Sequence, residues 1–429
     1  MNSRFSGSFG ALSSVGRAAA FLMLGCGSLM AIPQQSSGTQ NGVAFAISGS
    51  DLFQTGGATV NGTGNFAQEG VLGLSALNDG IYGAQGGQNS NPPGLNAFSA
   101  GTGESVTISF AQPTGITLNS LNAIAAWDSA RASQSYQLEY QSTVLPGVWH
   151  RLASVTHNPG QLGGQIVNTS TTVTDSTGVL AANVSAIRLN FANTDFWGWN
   201  GYREIDAAGS VSAAAVGPQF LKSIQINELY GVSGSDLLQG GGITTTSVGD
   251  FTDEGLQGLA SLTDGGYGPA GGQGSNPPGM AAAGANNGES VTYGLNLAGA
   301  PQGYTITGVD IYAGWDGFRG GQNYSLQYST VAAPGTFISL GSVDWDATAN
   351  NAPGGNINTR VMVRDLDGVL ATNVASVRLA FGDVSFGFAG YREVDVFGTP
   401  TPVPEPALAG LIAAGGGMLL RRRRPCDLP

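Results

Sequence analysis

The chain has 429 residues, of which 69 are glycine and only 10% are charged, and its formal net charge is −12. An acidic surface of this kind repels nucleic acid and anionic lipid, which excludes nucleic acid as a partner. The two cysteines, Cys26 and Cys426, lie near the termini, so the body has no disulfide framework, thiolate metal site or cysteine nucleophile.

Taken in chain order, the first feature is a short apolar stretch, Ala18–Leu24, preceded only by Arg4 and Arg17 and followed by small residues up to Ala31; no acidic residue occurs before Asp51. Residues 1–31 are therefore predicted to be a Sec-type signal peptide. The stretch is well short of the roughly 20 residues that span a bilayer, which argues against a retained anchor. Cys26 follows Leu24-Gly25 and raises a lipoprotein reading, but the residues before it fit a lipobox poorly.

The body is an internal duplication. Ser48-Gly49-Ser50-Asp51-Leu52 returns as Ser233-Gly234-Ser235-Asp236-Leu237, Leu77-Asn78-Asp79-Gly80 as Leu262-Thr263-Asp264-Gly265, and Ser90-Asn91-Pro92-Pro93-Gly94 as Ser275-Asn276-Pro277-Pro278-Gly279. Gly201-Tyr202-Arg203-Glu204 returns as Gly390-Tyr391-Arg392-Glu393, and the offset drifts only from about 185 to about 190. A period this long means tandem domains, since solenoid repeats run about 20–50 residues. Domain one is predicted over 41–210, a linker over 211–221, domain two over 222–398 and a stiff Thr/Pro spacer over 399–402.

Within each copy apolar residues alternate with polar ones. Val106, Ile108 and Phe110 form one stripe; Tyr136, Leu138 and Tyr140 another; Ile187, Leu189 and Phe191 a third. The second copy repeats them at Val291/Tyr293/Leu295, Tyr324/Leu326/Tyr328 and Val377/Leu379/Phe381. Period two with one buried face means antiparallel strands. Glycine-rich turns separate them, and helix is minor. The predicted fold class is all-β, with two tandem jelly-roll β-sandwiches.

The order of these motifs, an Asp-Gly turn, a Trp-Asp strand, a Tyr-x-Leu-x-Tyr strand and a closing Tyr-Arg-Glu-Ile/Val-Asp strand, resembles the discoidin or galactose-binding-like domain. That resemblance implies carbohydrate binding. It also implies one structural calcium per domain, held between the Asp-Gly loop and the glutamate of the last strand, which match Asp79 with Glu204 and Asp264 with Glu393. Calcium takes six to eight oxygen ligands, so backbone carbonyls would complete the set. The other reading is that Asp79 and Asp264 only start turns, while the glutamates pair locally. The aromatic cluster expected after the Asp-Gly turn is replaced by Ile81-Tyr82-Gly83 and Gly266-Tyr267-Gly268.

Two further constellations are candidates for ligand contact. One is Trp127, Asp128 and Arg131 with Gln134, repeated as Trp315, Asp316 and Arg319 with Gln322. An indole face stacks on a sugar while carboxylate, guanidinium and amide bond its hydroxyls; alternatively the tryptophan is core and the charges steady a loop. The other is Trp197 and Trp199, present only in copy one, which suit either a glycan or an interface between the domains. His150 and His157 align with Ile338 and Trp345, and no nucleophile elbow appears, so the chain is predicted not to be an enzyme. Both histidines are expected on the surface or in loops.

The tail reads Val403-Pro404-Glu405-Pro406, an apolar run from Ala407 to Leu420, then Arg421, Arg422, Arg423 and Arg424. This resembles the PEP-CTERM sorting signal of bacterial surface proteins, over 403–424. The resemblance implies delivery to the cell envelope, surface or extracellular matrix through an exosortase-like membrane enzyme. A transient membrane contact fits the short apolar run, and a retained transmembrane helix is the alternative. The function predicted is that of an exported, non-catalytic component that associates with exopolysaccharide. The alternatives are a structural envelope protein without glycan specificity and, further off, a polysaccharide hydrolase.

Overall fold

The computed structural model describes residues 33–49, 51–55, 57–83, 95–128, 131–160, 166–192, 198–269, 281–315, 319–346, 356–384 and 387–403, with Asp128 described in its backbone only. The predicted signal peptide and, apart from Val403, the whole predicted sorting signal lie outside these residues. Among the described residues no helix is long and apolar enough to cross a membrane.

The first copy contains ten strands: β1 (Pro33–Asn41), β2 (Thr59–Thr63), β3 (Phe98–Gly101), β4 (Ser105–Ser109), β5 (Ile116–Asp128), β6 (Gln134–Ser142), β7 (His150–His157), β8 (Ile166–Asp175), β9 (Ala181–Phe191) and β10 (Trp199–Val211). A one-turn helix, α1 (Leu52–Thr55), precedes β2. The second copy repeats the set as β11 (Gln219–Ile226), β12 (Thr244–Val248), β13 (Ala283–Ala285), β14 (Ser290–Gly294), β15 (Tyr304–Gly314), β16 (Gln322–Thr330), β17 (Ala333–Trp345), β18 (Ile357–Arg364), β19 (Ala371–Phe381) and β20 (Ala389–Pro400).

Every pairing is antiparallel. In copy one the layer β1-β8-β5-β10-β3 faces the layer β7-β6-β9-β4-β2, and the two join where the start of β5 also pairs with β9. Copy two has the same order, β11-β18-β15-β20-β13 over β17-β16-β19-β14-β12. The fold is therefore two β-sandwiches. The alternating stripes close the interior: Val106, Ile108, Leu138, Ile187 and Leu189 are fully buried, as are Val291, Leu326 and Leu379. Across the layers Phe191 packs on Tyr202 at 5.1 Å and Phe381 on Tyr391 at 4.8 Å. Each copy has its own large apolar cluster.

Two boundaries differ from expectation. β1 begins at Pro33, ahead of the predicted start at 41, and β11 begins at Gln219, inside the predicted linker. β1 reads PQQSSGTQN and is exposed along most of its length, so it carries no apolar stripe; pairing of its backbone with β8 holds it in place.

The edge strand β7 of the first sandwich lies along β11 of the second. The Arg151 backbone N–H donates to Ser223 Oγ at 3.2 Å, and the Arg151 guanidinium pairs with Glu228 at 3.1 Å. His150 sits in this contact, fully buried, against Tyr140. That corrects its expected surface position. Burial, with Arg360 and Arg364 of the second sandwich nearby, pushes its pKa down to about 3, so it is neutral. His157 meets Thr39 at 2.9 Å.

Candidate cation and ligand site

The site is built where the first turn of each copy meets its last strand. Asp51 precedes α1, and its Oδ1 accepts the Phe53 N–H at 2.5 Å while Gln54 Oε1 accepts the Asp51 N–H at 2.9 Å. This reciprocal capping fixes the carboxylate. On β10, Ile205 faces the core while Glu204 and Asp206 share the opposite face. Glu204 Oε1 accepts from the Gly80 N–H and from Gln54 Nε2, both at 3.3 Å, and Asp206 Oδ2 accepts the Ser48 N–H at 3.0 Å. Gly80 has φ +71°, and a Cβ there would lie 2.9 Å from the Cα of Gly49, so this turn needs glycine.

Copy two repeats the construction. Asp236 Oδ1 accepts from Leu238 N–H at 2.7 Å, Glu393 Oε1 from Gly265 N–H at 3.3 Å and Gln239 Nε2 at 3.0 Å, and Asp395 Oδ2 from Ser233 N–H at 2.9 Å.

In both copies one oxygen of each acid is buried without a hydrogen-bond partner: Asp51 Oδ2, Glu204 Oε2 and Asp206 Oδ1, then Asp236 Oδ2, Glu393 Oε2 and Asp395 Oδ1. The ligand atoms of each trio lie within 4.8 Å of one another. Loss of water, followed by the charge of Asp206 or Asp395, pushes Glu204 and Glu393 up to about 9. Desolvation likewise raises Asp51 and Asp395 to about 7, and raises Asp206 and Asp236. Three buried acceptors with no donor meet the needs of a hard cation, which takes oxygen ligands and offsets their repulsion. The donor set fits calcium.

Glu204 and Glu393, expected as ligands, are thus in the trios. Their expected partners Asp79 and Asp264 stand beside the trios and do turn chemistry, Oδ1 accepting the N–H of Ile81 and of Gly266 at 2.8 Å. The closest partners of the glutamates are instead Asp51 with Asp206, and Asp236 with Asp395. Sequence reasoning missed these four acids, although Ser-Gly-Ser-Asp-Leu and Arg-Glu-Ile/Val-Asp are duplicated in full.

The described members of the tryptophan constellation pack against the protein itself. Trp127 and Trp315 are each 1% exposed and Trp199 is 3% exposed, so none presents a face to solvent. The Arg131 guanidinium lies 4.0 Å over the Trp199 ring and pairs with both oxygens of Glu69, at 2.6 and 2.9 Å. Arg319 does the same with Phe388, at 4.1 Å, and with Glu254, at 2.7 and 2.8 Å. Glu69 and Glu254 were also missed; both begin a repeated Glu-Gly pair. Gln134 and Gln322 bond inward, to Ala123 O and Ile311 O at 3.1 Å. Asp316, Trp197 and the Asp128 side chain lie outside the described residues.

The copies differ beside the trios. Copy one has a cavity of about 390 Å³ on the outer face of its first layer, lined by Asp51 and Asp206 with Ser48, Thr55, Ser120 and Asn122. Leu52, Ala207, Ala208 and Gly209 complete its lining.

No family model matches the chain, and no curated protein matches it. Solved structures do. A pectin-binding carbohydrate-binding module is 15% identical over 37% of this chain and 93% of its own, with a TM-score of 0.23. An F5/8 type C domain from Bacteroides fragilis is 14% identical over 39% and 99%, with a TM-score of 0.26. A carbohydrate-binding module from Clostridium perfringens, solved with GalNAc-β-1,3-galactose, is 21% identical over 38% and 99%, with a TM-score of 0.24. Likenesses of this size assign neither ligand nor activity, and the site stands on its own geometry.

Proposed function

We propose that the chain is an exported, non-catalytic protein of the cell envelope or extracellular matrix that associates with polysaccharide, each sandwich being steadied by one calcium ion. The observation that carries this reading is the duplicated trio of buried, donor-less carboxylate oxygens. Asp51, Glu204 and Asp206 would hold one ion, and Asp236, Glu393 and Asp395 the other. The ion supplies positive charge where three acids converge, tying the start of each copy to its last strand. Support for export comes from the amino-terminal signal pattern and the sorting-type tail. Support for glycan association comes from the domain resemblance and from the hydroxyl- and amide-lined cavity of copy one.

The test is thermal unfolding with calcium or chelator. At calcium a hundredfold above its Kd, Tm should rise by roughly 5–10 °C. Chelator should reverse the rise, and Asp236→Asn with Glu393→Gln should remove the share due to copy two. An unchanged Tm in calcium would discard the ion. Retention of the chain on neutral or cationic polysaccharide, measured by pull-down at two salt concentrations, tests the association itself.

A further inference from the structure

Two residues that line the copy-one cavity, Asn122 and Ala208, and two beside it, Thr174 and Ile124, are matched in register in copy two, three of the four by larger side chains. Thr174, opposite Ser120 on the neighbouring strand, corresponds to Arg364; Asn122 to Asp310; Ile124 to Tyr312; and Ala208 to Phe397. In copy two the Arg364 guanidinium lies over Gly308, where an added Cβ would be 2.6 Å from it, and it ion-pairs with Asp310 at 2.7 Å. It also lies 5.5 Å from the Phe397 ring, and Tyr312 donates to Asp395 Oδ2 at 3.3 Å. The second sandwich therefore fills, with a cation on an aromatic ring, the space the first leaves open. Asp395 is 0% exposed, whereas its counterpart Asp206 is partly exposed.

What the open space asks for follows from its walls. Asp51 is only 9% exposed, lines the cavity, and has an oxygen without a donor. Asp206 brings a second such oxygen, and Ser48, Thr55, Ser120 and Asn122 bring hydroxyl and amide groups. Two carboxyls this close to each other are best balanced by a cationic donor, and the hydroxyl and amide groups around them suit a hydroxylated ring. A cavity of this size lies within the range of about 300–1,000 Å³ usual for small-ligand sites. The chain's net charge of −12 draws polycations and repels polyanions.

We infer that the copy-one cavity binds a protonated amino sugar, such as a de-N-acetylated hexosamine residue of a polysaccharide, with its ammonium between Asp51 and Asp206. This rests on the polysaccharide reading above and names its ligand class. The ammonium and calcium are alternatives at the same acceptors, so each displaces the other in copy one, while copy two has room for the metal alone.

The experiment is calorimetric titration of the full chain with oligomers of glucosamine and, separately, of N-acetylglucosamine. The glucosamine oligomer should bind and the acetylated one should bind at least tenfold more weakly. Calcium should weaken the glucosamine interaction. The quadruple variant Ser120→Gly, Thr174→Arg, Asn122→Asp, Ala208→Phe gives copy one the filling that copy two already carries, with the glycine that makes room for the guanidinium, and it should lose at least tenfold in affinity with its Tm unchanged. If that variant is unstable, the near-isosteric Asp51→Asn should show the same loss. Equal binding of both oligomers, undiminished binding by the filled variant, or preference for a lysine- or arginine-rich peptide would each overturn the inference. Continued retention of the filled variant on polysaccharide would do so while leaving the broader association standing; failure to bind any polysaccharide would remove both.

Discussion

At the scale of single residues, the two trios make stability depend on pH in an unusual direction. Glu204 and Glu393 sit at about 9 in the folded chain against an ordinary 4.5, and Asp51 and Asp395 at about 7 against 3.8. The folded state therefore holds protons that the unfolded state releases. The stability linked to them is complete below about pH 4 and is lost as pH rises through the folded values towards 9. Metal-free protein should show a Tm that falls between pH 5 and pH 9, and calcium should flatten that fall. A Tm that climbs over this range in chelator would contradict the trio as described. Of this chemistry the sequence made only the two glutamates legible. Asp51 and Asp206 lie far apart in the chain, and only the docking of a one-turn helix on the last strand brings them together. Asp79 drew notice because Asp-Gly is a strong turn signal, and its Oδ1 accepts the Ile81 N–H within that turn.

At the scale of elements, the alternating stripes were readable because each strand buries one face, and Tyr136, Leu138, Ile187 and Leu189 all point inward as their spacing required. β1 was not readable, since backbone pairing holds it with little side-chain burial. The Trp-Asp strands illustrate the ambiguity of an aromatic on a β-strand. Trp315 packs on Phe388 at 5.7 Å and beneath Arg319, in a cluster with Leu256 and Ala282. Trp315→Ala should cost about 3–5 kcal/mol in denaturant unfolding and leave polysaccharide retention per folded molecule unchanged. Lost retention at full stability would return the indole to a binding role. The asymmetric Trp199 completes the matching cluster in copy one, edge-on to Trp127 at 5.1 Å, where copy two uses Phe388.

At the scale of the whole molecule, the duplicated sequence does not reveal that the copies touch. That contact comes from residues that differ between them: His150 and Arg151 in β7, and Leu221, Ser223, Arg360 and Arg364 in the second sandwich. Leu221 is 5% exposed and lines a hollow shared with Tyr140 and Leu152 of the first sandwich. The second sandwich made alone should therefore unfold at lower denaturant than within the full chain, by about 2–3 kcal/mol for the apolar surface uncovered. Equal midpoints would show the contact to be energetically idle. The corresponding edge in copy two, β17, stays open, with Ile338 45% exposed.

Each trio joins residue 51 to residues 204 and 206, or residue 236 to residues 393 and 395. If the chain is exported as proposed, amino end first, neither latch can close until the final strand of that copy has emerged. Any nascent or truncated form lacking β10 or β20 would leave Asp51 or Asp236 without its companions and the sandwich unlatched.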